Sequence, residues 1–128
     1  MVQVGSVLWR DKNYKVQRLP SIVEGSEFEA LPYRLEPDVN LVIDVDQVTT
    51  VYVALHLESY SDNLTDWFHE NDWSEVEEKI TYDGKNTSET LDNIWSKEYL
   101  GKAVINITSQ SAPLTMAIFI KPGLYFVR

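Results

Sequence analysis

A chain of 128 residues, 44% hydrophobic and 24% charged, has the size and mix of one ordinary globular domain and not of a disordered tail. Twenty acidic residues against eleven basic ones give a formal charge of −9, which repels phosphate backbones and anionic membranes, and the basic residues read as scattered, so nucleic acid is not an expected partner. No apolar run approaches the roughly 20 residues of a spanning helix, so membrane insertion is not expected, and with no cysteine there is no disulfide framework, thiolate zinc site or cysteine nucleophile.

In chain order, the opening MVQVGSVLWRD has no basic region followed by an apolar stretch, so no signal peptide is expected there. Residues 2–9, 14–19 and 27–30 carry short strand-like runs, separated by turn signals at Arg10-Asp11-Lys12-Asn13, at Pro20 and at Glu24-Gly25-Ser26. From residue 39, Val39, Leu41, Ile43 and Val45 alternate with Asn40, Asp44 and Asp46, the pattern of a strand with one face buried and one wet. Residues 51–58 repeat it, with Val51, Val53, Leu55 and Leu57 opposite Tyr52, Ala54, His56 and Glu58. Residues 44–47 between them predict a hairpin. Residues 61–74 are polar and acidic, yet hold Trp67, Phe68 and Trp73; a long loop with one helical turn, capped by Thr65 or Asp66, is expected.

Residues 78–82 predict a strand, 83–93 a second loop with helical character near 91–95, and 95–100 another strand. Ala103, Ile105 and Ile107, then Leu114, Met116, Ile118 and Ile120, alternate again. About nine short strands with regular turn signals in one domain, residues 1–128, predict an all-β, antiparallel β-sandwich or jelly roll.

Chemistry is sparse. There is no phosphate loop, nucleophile elbow or zinc-helix motif, and the three N-x-S/T sequons at Asn63, Asn86 and Asn106 are short enough to arise by chance. His56 and Glu58 share a strand face as two potential metal ligands or as a solvated polar pair. Asp62, Asp66, Glu70 and Asp72 crowd one stretch with hard oxygen ligands of the kind calcium takes, but without EF-hand spacing; the alternative is a solvated acidic loop. Trp67 and Trp73 offer indole faces for stacking on sugar rings, or else plug one end of the sandwich. Tyr14, beside the turn that carries Asp11, and Tyr60, at a strand end, are candidate rim residues for the same ligand.

The order of motifs carries a resemblance. W-R-D-K-x-Y-x-V-x-x-L-P-S-I-V-E-G opens the chain from Trp9, V-Y-V-A-L-H follows from Val51, then Trp67-Phe68, then W-S-K-E-Y-L-G-K-A-V-I-N from Trp95 and a hydrophobic strand with Met116. This resembles the small β-sandwich accessory domains attached to microbial polysaccharide lyases and glycoside hydrolases, over nearly the whole chain. Lys12, Phe68 and Asn106 depart from the pattern, and no sugar-contacting residue transfers with it. The resemblance implies a non-catalytic module that binds glycan or buttresses a neighbouring protein domain, within a larger secreted protein. Three roles follow in order of expectation: carbohydrate-binding module, interaction or structural module with an apolar patch near Tyr52 and Ala54, Val104 or Phe119, and enzyme.

Overall fold

The computed structural model describes residues 1–34, 39–44, 48–56, 62–100, 102–107 and 115–122. Its elements are β1 (Val16–Arg18), β2 (Glu27–Phe28), β3 (Val39–Asp44), β4 (Thr49–His56), α1 (Asp62–Glu70), β5 (Ser74–Val76), β6 (Ile80–Asp83), β7 (Ser88–Tyr99), β8 (Lys102–Ile107) and β9 (Met116–Pro122). The fold is all-β and antiparallel, a curled sheet with one short helix. The main sheet runs β1-β6-β7-β4-β9-β2, with β5 on the same edge of β7 as β6, and β3 pairs with β8 in a separate ribbon.

β4 is central, with β7 on one edge and β9 on the other. Its odd residues Val51, Val53 and Leu55 enter one core with Trp95, Met116 and Ile118, while Tyr52 and Ala54 enter the opposite core with Ile94, Ala117 and Phe119. Register enforces the split, because Val53 faces Trp95 and Ile118 while Ala54 faces Ile94 and Ala117, and paired residues of a pleated sheet point to the same side. The N-terminal segment covers the Tyr52 and Ala54 face with Val2, Leu8, Trp9, Val16 and Val23. The Val51, Val53 and Leu55 face is covered by α1 through Leu64 and Phe68, by Trp73 and by Ile105 of β8. The expected wet face of β4 is therefore dry: Tyr52, Ala54 and Phe119 are buried, whereas Val104 is 70% exposed.

The alternating strands at residues 39–44, 49–56, 102–107 and 116–122 form as their patterns predict. The first segment does not: residues 2–9 make only the bridge Val7 to Lys15 and the bridge Trp9 to Leu31. The predicted hairpin between β3 and β4 is also absent among the described residues. Both edges of β4 are occupied, so β3 pairs with β8 instead. Residues 83–93, read as a loop with helical character, are the turn and first half of β7. The misleading signal has a specific origin. Leu55 pairs with Asn93 and His56 with Leu91, so Asp92 is the extra residue of a bulge. That insertion puts Leu91 and Ile94 in the same core at a spacing otherwise typical of a helix.

Residues 62–70 form a full helix and not a single turn, and Thr65 and Asp66 lie inside it, not at its cap. Leu64 and Phe68 are buried one turn apart and Trp67 is half-buried beside them, which gives the helix an apolar stripe to lay on the sheet. The helix ends in a Schellman motif. Trp73 N–H donates to Phe68 C=O (2.9 Å), Asp72 N–H donates to His69 C=O (3.2 Å), and Asp72 takes the left-handed conformation with φ 64°. The Phe68 and Trp73 rings meet edge to face at 5.4 Å, and the other side of Phe68 stacks on Trp95 at 4.7 Å and 3°. Leu57, Glu58, Tyr60, Leu114 and the C-terminal residues 123–128 lie outside the described residues.

Phe68→Ala removes the ring joining helix to sheet and is expected to cost about 3–5 kcal/mol, measured by urea denaturation. Asp72→Gly relieves a left-handed residue and is expected to stabilise the domain by about 0.5–1 kcal/mol, while Asp72→Val destabilises it.

Candidate functional site

Where the N-terminal segment meets the β6–β7 turn, an open groove of about 800 Å³ is lined by residues 10–15 on one side and by Asp83, Gly84 and Lys85 on the other. Backbone bonds set its walls. Arg10 N–H donates to Leu31 C=O at 3.1 Å, and Asp83 N–H donates to Lys15 C=O at 3.0 Å. The Asp83 carboxylate accepts from Lys15 N–H, and Asp11 Oδ1 accepts from Tyr33 N–H at 2.8 Å. Both acids thus hold the walls in place. Gly84 N–H donates to Thr87 C=O at 2.8 Å and closes the turn. A Cβ on Gly84 would stand 2.6 Å from Glu89 Cγ and 3.0 Å from Thr87 O, so glycine is what lets the Glu89 stem pass. Glu89 then reaches His56, Oε2 to Nε2 3.1 Å.

Behind the groove stands an aromatic cluster. Tyr14 lies nearly parallel to Tyr82 (6.0 Å, 25°) and edge-on to Tyr33 (5.3 Å, 85°), and Trp9 meets Tyr33 and Tyr82 at 4.9 and 4.7 Å. The Tyr33 and Tyr82 hydroxyls share a hydrogen bond of 2.7 Å, and Trp9 Nε1 donates to Met116 C=O at 3.0 Å. Tyr82 is wholly buried and Tyr14 half-buried. Tyr14 is therefore packed into the groove wall by the rings of Tyr33 and Tyr82. Lys12 Nζ sits 5.9 Å from the Tyr14 ring centroid.

The residues singled out from sequence separate into two places. Asp11 and Tyr14 line the groove. Trp67 and Trp73 lie in the core on the other face of the sheet, Trp73 only 4% exposed and Trp67 half-buried, their centroids 6.2 Å apart. Tyr60 is outside the described residues. Asp66 and Glu70 are exposed on α1, Asp72 lies beyond its end, and Asp62 opens the helix; among the described residues no such acids gather into a metal-holding group. His56 pairs with Glu89, while Glu58 is outside the described residues. Asn86 is exposed on the β6–β7 turn.

Arg10, Lys12, Lys15, Asp83 and Lys85 were not singled out from sequence. Four of the eleven basic residues, Arg10, Lys12, Lys15 and Lys85, stand around one groove. The usable signal was Arg10, Lys12 and Lys15 within a single short turn segment; Lys85 arrives only through the pairing of β1 with β6. A second, smaller concavity of about 490 Å³ is lined by Thr50, Tyr52, Asp72, Ser74, Ser96, Lys97 and Glu98.

Burial raises the pKa of the Tyr82 hydroxyl strongly, helped by its bond to Tyr33 and by the Glu89 charge. Tyr33, Tyr52 and Tyr99 are raised too, first by burial. A group whose folded pKa lies above its unfolded one gives stability that is present below the unfolded value, 10.0 for tyrosine, and is lost as pH rises beyond it. Stability is expected to fall above about pH 10, and absorbance at 295 nm is expected to show these tyrosines ionising late, together with unfolding.

Compared with known proteins, the chain matches no family model, no curated protein and no solved structure. Its role is read from the chemistry of the groove.

Proposed function

We propose that this chain is a non-catalytic carbohydrate-binding or accessory module of the β-sandwich or jelly-roll type, part of a larger secreted protein, with the groove at residues 10–15 and 83–85 as its glycan site. The carrying observation is Tyr14, an aromatic ring locked against Tyr82 and Tyr33 at the wall of an open groove whose other groups are polar. Sugars are held by that combination, an apolar ring face for the C–H side and fixed polar groups for the hydroxyls. The colinear motif order described above supports the accessory role, and the β3–β8 ribbon, whose Ile105 enters the core of Val51, Val53 and Leu55, supports the sandwich reading. Trp67 and Trp73 have structural duties in this account.

A second reading, an interaction or structural module packing on a neighbouring domain or on a copy of itself, is favoured by one observation. Leu100, just after β7, and Val104, on β8, are 76% and 70% exposed, large apolar side chains available to a partner surface.

The test is calorimetric titration with a panel of soluble neutral and charged polysaccharides, with circular dichroism to confirm folding. Saturable binding that weakens at least about tenfold in Tyr14→Ala, as loss of a stacked ring implies, supports the glycan site. A flat panel, with a concentration-dependent dimer that Val104→Lys dissolves, gives the role to the interaction module.

A further inference from the structure

Resting on the reading of the groove as a glycan site, we propose that its ligand is an anionic glycan, a chain bearing carboxylate or sulfate groups, held by Arg10, Lys12, Lys15 and Lys85 around the Tyr14 ring. The first ground is charge placement. The whole chain carries −9, yet four of its eleven basic residues line this one groove against only Asp11 and Asp83. The second ground is that those two acids are already committed, Asp11 to Tyr33 N–H and Asp83 to Lys15 N–H. Among the described residues none of the four cations is in an ion pair, the two pairs present being Met1 with Glu27 and His56 with Glu89. With four exposed bases against two acids, the groove carries a local excess of positive charge that attracts anions.

The third ground is that the cluster is assembled by the fold. Lys85 reaches the others only because β6 lies on β1 and Lys15 is clamped to Asp83. Arg10 supplies a planar fork suited to a carboxylate or sulfate, and the lysines supply point charges along a chain. Nucleic acid is disfavoured by the same balance. A duplex carries one phosphate charge per ~1.7 Å of axis, and the strongly acidic remainder of this chain repels so dense a polyanion, while a glycan with one acid group per sugar needs only the groove.

The experiment titrates the full chain with oligogalacturonate, a sulfated dextran oligomer, a neutral cello-oligosaccharide of equal length and a single-stranded oligonucleotide, at low and at 0.5 M-scale salt. The exposed side chains make Arg10→Gln and Lys85→Gln folding-neutral probes, and Lys79→Gln, outside the groove, is the control. Expected are binding of at least one of the two acidic oligomers over the neutral one, a loss of about tenfold in the double variant R10Q/K85Q, a similar loss in high salt, and no change in K79Q. Equal binding of the neutral oligomer, unmoved by R10Q/K85Q, overturns the anionic ligand and leaves the glycan site standing. No binding of any oligosaccharide overturns both. Tighter binding of the oligonucleotide than of either acidic sugar overturns the anionic glycan in favour of nucleic acid.

Discussion

β4 has a hydrogen-bonded partner on each edge and a dry core on each face, and the placement of every other element follows from those two facts. A strand paired on both edges leaves no room for its sequence neighbour β3, which takes β8 instead. A strand buried on both faces requires two covers. The N-terminal segment provides one although it has little regular structure of its own, and α1 with Trp73 and Ile105 provides the other. Neither cover is stable alone, since an isolated nine-residue helix is too short to persist in water, so each is ordered by the apolar surface that it meets.

The groove is a by-product of the first cover. Where the N-terminal segment turns away from the sheet after Trp9, its next six residues face the β6–β7 turn. The two sides are joined by reciprocal bonds between Lys15 and Asp83. The aromatic cluster of Trp9, Tyr14, Tyr33 and Tyr82 is at once part of the core and the back of the groove. In the proposed glycan site, core packing and recognition therefore share side chains, with Tyr14 packed on the buried Tyr82. A preorganised ring loses little freedom when a ligand settles on it.

Charge divides the molecule in the same way. Net charge is a property of the composition, but a ligand meets a local field, and the local field depends on which residues the sheet order makes adjacent. The −9 of the whole chain argues against dense polyanions over most of the surface. The exposed bases of one groove create a distinct patch within it, because four of them stand there against only two acids.

The sequence by itself determined the all-β class and four of the strands, because period-two alternation is a local pattern and needs no partner to be visible. It also marked Asp11 and Tyr14 beside a turn, and both line the groove. Tertiary structure alone decided three things. It decided that the Tyr52 and Ala54 side of β4 is dry, since what covers a face lies far away in sequence. It decided that Leu91 and Ile94 belong to a strand, since the bulge at Asp92 shifts the alternation by one residue and imitates a helix. And it decided that Trp67 and Trp73 lie across the sheet from Tyr14 while Lys85 joins Arg10, Lys12 and Lys15, since strand pairing brings together residues separated by most of the chain and composition carries no record of it.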